Sequence, residues 1–268
     1  MSHYFITGAS SGIGAALATR LLAEGHHVSA VARREDRLQK LAPDIGLAGT
    51  RETKTGNLWT AACDVSDATP LNTAIENAIK AQGPVDVAIL NAGIYVPQDG
   101  MDIDPAIYAK HMEVNYMGVV NALPALIRCM RSPDSQLGGQ IAIVSSVAGW
   151  RGLPKAAAYG PTKAALISLA ESLRFDLGPR GIDVRVICPG FVETESTAVN
   201  DYEMPGMISA QRAADEILAG LKSSKFLIHF PKSFTRKIGW LRWLPDRMFF
   251  RLVAAQTGHK ADDTKMRP

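Results

Sequence analysis

Short apolar runs alternate with longer amphipathic stretches along most of the chain. Runs at 4–7, 27–32, 58–63, 85–90, 140–145 and 183–188 are rich in Val, Ile, Ala and Leu. Their length and composition read as buried strands, and the segments between them carry apolar residues at helical spacing. Phe226-Leu227-Ile228-His229-Phe230 supplies a seventh run of the same kind. Strand and helix in strict alternation predict α/β architecture, with a parallel sheet and helices on both faces. At 268 residues one domain of this type accommodates the whole chain.

Three segments carry chemistry. Gly8-Ala9-Ser10-Ser11-Gly12-Ile13-Gly14 joins the first strand to a helix beginning near Ala15. Strand, glycine-rich turn and helix together suit a dinucleotide pyrophosphate. Glycine lets the backbone approach the phosphates, and the helix start offers free N–H groups. No Gly-Lys-Ser/Thr closes the turn, which argues against a P-loop. The second strand ends in Arg33-Arg34. An NAD-preferring site places an acid here for the ribose 2′-hydroxyl. Two guanidinium groups suit a 2′-phosphate instead, which favours NADP(H) over NAD(H).

Tyr159 and Lys163 form the third signal, in Ala-Tyr-Gly-Pro-Thr-Lys-Ala-Ala. Four residues apart on a helix, both project from one face. An ammonium beside a phenol favours the phenolate, so the pair is expected to lower the tyrosine pKa and give an acid/base near neutrality. Pro161 is tolerated only if it falls in the first turn of that helix.

Taken in order, these segments resemble the short-chain dehydrogenase/reductase family, in its compact single-domain branch. The likeness runs from about Tyr4 to about Thr194 and includes Thr7 to Gly14, Asp64-Val65, Asn91-Ala92-Gly93, Asn115, Ser145-Ser146, Tyr159, Lys163, and Pro189-Gly190-Phe191-Val192-Glu193-Thr194. It implies a Rossmann-type doubly wound parallel sheet of three layers and about seven strands, with a core at 1–194 and a variable lid and tail at 195–268. It also implies hydride transfer between NADP(H) and a carbonyl or alcohol. Gly8, Ser10, Ser11, Gly12, Ile13 and Gly14 would hold the pyrophosphate, and Arg33 and Arg34 the 2′-phosphate. Asp64 and Val65 would border the adenine, and Asn91, Ala92 and Gly93 the ribose. Pro189, Gly190, Val192 and Thr194 would face the nicotinamide. Ser146, thirteen residues before Tyr159, is chosen over Ser145 as the serine that orients substrate. Lys163 would also bind the nicotinamide ribose, and Asn115 would hold a water that returns a proton through Lys163. A non-catalytic NADP(H)-binding sensor or scaffold remains the alternative. A sugar-nucleotide epimerase shares the Tyr–Lys pair but needs a longer substrate domain.

Composition adds three points. Cys63, Cys129 and Cys188 are odd in number and scattered, which suits a reducing, cytoplasmic setting. The six histidines show no ligand spacing, so no metal is expected. No leader and no run of ~18 apolar residues is evident. The tail from Lys222 is different in character: eleven Lys/Arg stand against three acids, interleaved with Phe and Trp. Peripheral membrane contact, a cover over the active site, a subunit contact and a plain helix pair all fit this pattern. Relatives in the family are commonly homo-oligomers, dimers or tetramers. Met204, Pro205, Met207 and Ile208 fit an apolar lid, and Glu193 and Glu195 either discourage carboxylate substrates or are simply solvated, the plainer reading.

Overall fold

A computed structural model describes residues 1–41, 56–130, 138–199 and 204–257. Seven strands form one parallel sheet in the order β3-β2-β1-β4-β5-β6-β7. The elements are β1 His3–Thr7, α1 Gly12–Ala23, β2 His27–Ala32, α2 Glu35–Gln39, β3 Leu58–Ala62, α3 Ala68–Gln82 and β4 Val87–Leu90. They continue with α4 Pro105–His111, a π-helical turn Met112–Met117, α5 Gly118–Met130, β5 Gln140–Val144, a 3-10 turn Val147–Gly149, α6 Tyr159–Leu177 and a second 3-10 turn Gly178–Arg180. β6 Asp183–Pro189, α7 Ala210–Leu221, β7 Leu227–Phe230, α8 Lys232–Leu241 and α9 Asp246–Thr257 complete the order.

Strand alternation builds the two faces. Phe5 joins the core under α3, α5 and α6, while its neighbour Ile6 joins the core under α1, α2 and α7. Ile141 and Ile143 face the first core; Ala142 and Val144 face the second. Covered on both sides, the central strands read as continuous apolar runs. The helices contribute single stripes: Leu71, Ala74, Ile75 and Ala78 are buried on α3, and Ala213, Ala214, Ile217 and Leu218 on α7. Asp67, Asp104 and Ser209 cap α3, α4 and α7 by accepting backbone N–H bonds.

Chain order leaves β1 toward β2 in one direction and β4 toward β5 in the other. The carboxyl ends of β1 and β4 therefore border the crevice where a parallel α/β sheet binds its ligand. Thr7 fixes that crevice. Its Oγ1 accepts from the N–H groups of Asn91 and Ala92, each at 3.0 Å.

Candidate active site

A cleft of about 250 Å³ opens over the crevice. It is lined by Gly8, Ser10, Ser11, Gly12 and Ile13 after β1, Arg33 and Arg34 after β2, and Asp64 and Val65 after β3. Asn91, Ala92 and Gly93 come from the turn after β4, Ser146 from the turn after β5, Tyr159 and Lys163 from α6, and Pro189, Gly190, Val192 and Thr194 from the segment after β6. Two of the residues expected at the site lie behind this surface. Gly14 packs under the turn, where a Cβ would stand 2.3 Å from the Gly8 carbonyl oxygen. Asn115 is fully buried.

The phosphate-type turn has the features an anion needs. Ser11 starts α1 without a capping side-chain bond, and the first turn carries no acid, so its N–H groups remain for a ligand. Arg34 folds onto the turn: its Nε and Nη2 each lie 3.2 Å from Ser10 Oγ, and Nη2 donates to Ser11 Oγ at 2.7 Å. Glu195 is not simply solvated. It accepts from Arg34 Nη1 at 2.7 Å and is also bridged by Arg37. A carboxylate thus stands between two guanidinium groups at the end of β2, where a 2′-phosphate dianion would find the same partners. The residues present fit NADP(H) on this ground. Sequence reading took Glu195 for a solvated acid and passed over Arg37, because their pairing depends on the lid segment folding back across the sheet. Val192 bridges to Ile208, and Ile208 N–H donates to the Phe191 carbonyl at 3.1 Å.

Ser146 begins the 3-10 turn after β5 and accepts from Ala148 N–H at 3.2 Å. Its hydroxyl acts on the Tyr159 phenol to lower that group's pKa. Ser145 faces the other way, donating to the Lys163 carbonyl at 2.7 Å. The 3-10 turn and α6 touch through Gly149, where a Cβ would lie 2.6 Å from the Lys163 carbonyl carbon. No larger residue permits that approach, which sets Ser146 against Tyr159. Pro161 sits in the first turn of α6, which Tyr159 opens, as the expectation required.

The electrostatics differ from the expectation in sign. Lys163 Nζ lies 5.5 Å from the centre of the Tyr159 ring and donates to the Val144 carbonyl at 2.9 Å. Burial dominates both groups. It pushes the Tyr159 phenol up to about 12, the Ser146 bond drawing it part of the way back. It pulls the Lys163 ammonium down to about 8. The tyrosine is therefore a firmly protonated phenol, and the lysine is the member that titrates closest to neutrality. Tyr95, which sequence reading missed, meets the Tyr159 ring edge-on at 5.1 Å.

Asn115 is held by its side chain on three sides. It sits in the π-helical turn before α5, a local irregularity often found at functional sites. Its Oδ1 accepts from Ile94 N–H at 2.7 Å, and its Nδ2 donates to the Ile94 carbonyl and to Thr162 Oγ1. The side chain ties the loop after β4 to α6.

Fold and cleft together define a parallel α/β protein built to bind a dinucleotide beside a serine, a tyrosine and a lysine. Residues 2–204 match the short chain dehydrogenase family, and the chain belongs to that family. It is similar to an uncharacterized oxidoreductase of Myxococcus xanthus, 31% identical over 91% of this chain and 93% of the relative. It is also 32% identical to a 3-dehydrosphinganine reductase of Arabidopsis thaliana over 85% of this chain and 70% of the relative. Among solved structures, a Burkholderia cenocepacia short chain dehydrogenase in complex with NADP superposes with a TM-score of 0.77 at 24% identity, covering 94% of this chain and 97% of that one. A Thermococcus sibiricus alcohol dehydrogenase complexed with 5-hydroxy-NADP gives 0.73 at 25% identity, over 86% and 95%.

Proposed function

We propose that this chain is an NADP(H)-dependent oxidoreductase that reduces the carbonyl of a hydrophobic substrate, or oxidises the matching alcohol. Ser146, Tyr159 and Lys163, lining the same cleft as the phosphate-type turn, carry this reading. The turn after β1 and the first N–H groups of α1 hold the pyrophosphate, and Arg33, Arg34 and Arg37 hold the 2′-phosphate once Glu195 yields. Asp64 and Val65 border the adenine, Asn91 to Gly93 the ribose, and Pro189 to Thr194 the nicotinamide end. When bound there, NADPH supplies the hydride.

Ser146 holds the substrate oxygen and Tyr159 gives it a proton. A phenol whose pKa is about 12 is fully protonated at neutral pH, which suits the reductive direction. Lys163 holds its charge below the ring and offsets the phenolate left after transfer. Asn115 acts as a positioning residue that keeps α6 in register with the loop after β4.

The aromatic surroundings favour an apolar substrate: Tyr95 on Tyr159, and Phe234 on Phe191 at 5.3 Å. The relative named as a 3-dehydrosphinganine reductase supports a carbonyl reductase. Three free cysteines suit a reducing, cytoplasmic setting. Exposed Met112, Met117 and Phe175 supply apolar surface on the π-helical turn and α6, which supports self-association.

NADPH oxidation, followed by absorbance, tests the proposal against aldehydes, ketones, quinones and 3-dehydrosphinganine. Turnover is expected with at least one class, falling by orders of magnitude in Tyr159→Phe while NADPH affinity stays within twofold or so. NADPH binding without turnover on any class would favour the sensor or scaffold reading.

A further inference from the structure

We infer that the C-terminal helical pair, α8 and α9, is a docking surface for an anionic lipid bilayer, set beside the mouth of the active-site cleft. The inference rests on the reductase reading only for its purpose, which is to draw an apolar substrate from the membrane.

Arg151 fastens this pair to the catalytic segment. Five residues beyond Ser146, it donates through Nη1 to the Leu244 carbonyl at 2.8 Å and the Leu241 carbonyl at 3.3 Å. It also pairs with Asp246, and its guanidinium stacks 3.9 Å from the centre of the buried Phe249 ring. One side chain thus satisfies the end of α8 and pins the start of α9. On the adjoining side Arg242 lies 5.5 Å from the centre of the Trp150 ring. Phe234 of α8 closes against Gly190 and Phe191 of the segment after β6.

Among the described residues the outward side of the pair is uncovered. Trp240 is 62% exposed and Trp243 84%, with Met248 at 50% and Leu252 at 40%. Met248 and Leu252 share one face of α9, opposite buried Val253. Arg236 and Lys237 precede Trp240 by one turn of α8, and Arg247 and Arg251 flank Met248 and Leu252. From Lys222 to Thr257 eight Lys/Arg stand against a single acid, Asp246, and that acid is already paired with Arg151. Lys260, Lys265 and Arg267 fall outside the described residues.

Indoles interleaved with basic side chains match the boundary between headgroups and acyl chains. The indole enters the apolar layer while guanidinium and ammonium groups meet lipid phosphates. Among the described residues no helix is long and apolar enough to cross a membrane, so the pair lies on the surface. An aqueous partner of high negative charge would explain the arginines but not the exposed tryptophans.

Vesicle co-sedimentation of the full chain tests this directly. The protein is expected to pellet with phosphatidylcholine vesicles containing phosphatidylglycerol, not with phosphatidylcholine alone, and to be released by high salt. Trp240→Ala with Trp243→Ala, and separately Arg236→Glu with Lys237→Glu, should each lower vesicle partitioning by roughly tenfold or more. NADPH binding in these variants should be unchanged, which shows that they fold. No pelleting of the native chain overturns the inference. So does a tryptophan variant that pellets normally but dissociates into a smaller species, since the face would then belong to a second copy. A protein that reduces soluble carbonyls yet never pellets sinks only the membrane inference. One that pellets yet never oxidises NADPH sinks only the reductase reading.

Discussion

Raising the pH should switch this site off through its lysine rather than its tyrosine. Lys163 is 3% exposed, its ammonium has one carbonyl acceptor at 2.9 Å, and burial carries its pKa from 10.5 to about 8. That displacement represents roughly 3 kcal/mol of native-state bias against the charged form. At pH 7 about nine tenths of the molecules carry the ammonium, and at pH 9 about one tenth do. If the cation offsets the phenolate formed during transfer, kcat/KM for NADPH with saturating carbonyl should break near pH 8. Above the break it should fall roughly tenfold per pH step. This constant reports the free protein, so the break belongs to the site before cofactor binds. Tyr159, held near 12, gives no break of its own in this range. Lys163→Arg keeps the charge at every accessible pH and should remove the break while retaining part of the activity. A profile flat between pH 7 and 9.5, or the same break in Lys163→Arg, would refute the reasoning.

Three further tests follow from the geometry. Gly14→Ala places a methyl 2.3 Å from the Gly8 oxygen and 2.8 Å from Asn91 Nδ2; backbone must move, so NADPH affinity by fluorescence titration should fall at least tenfold and stability by about 1–3 kcal/mol. Glu195→Gln removes the carboxylate shared by Arg34 and Arg37; two exposed ion pairs are worth little each, so NADPH should bind roughly three- to tenfold tighter, with NADH unchanged, and equal effects on both cofactors would count against Glu195 as a competitor. Denaturant unfolding should show native stability rising, relative to Lys163→Met, between about pH 8 and 10.5: there the unfolded lysine still holds a proton that the folded one has lost, so the burial penalty disappears as pH rises. The sign reverses for Tyr159, whose folded phenol keeps its proton longer than the unfolded one, so its contribution falls between about pH 10 and 12.

Whatever depended on period and order was legible before folding. Buried parallel strands must be apolar runs, and their register with the helices fixes the crevice, so the strands at 27–32 and 226–230 and the turn after β1 could be placed from residues alone, and the turns after β4 and β5 from the family resemblance. Alternation on an extended chain says only that Ser145 and Ser146 cannot share the role; the family's spacing to Tyr159 points to Ser146, and Ser145 is the one that bonds Lys163's carbonyl. What escaped was every property set by distance in three dimensions. Spacing puts Tyr159 and Lys163 on one face but says nothing of depth. With Lys163 buried and Tyr159 half-buried beside it, loss of water outweighs an ammonium 5.5 Å from the ring centre, and each pKa moves toward its neutral form. Glu195 reads as a surface acid until the lid folds and brings it across to Arg34 and Arg37, more than 150 positions away. The same holds for Asn115: a helix asparagine in sequence becomes, through a π-helical turn, a brace between Ile94 and Thr162. If Tyr159 is the acid of the proposed reaction, a protonated tyrosine beside a marginally charged lysine disposes the site to proton donation, and the negative charge of a bound dinucleotide would favour the Lys163 ammonium, coupling cofactor binding to readiness of the acid through that one buried side chain.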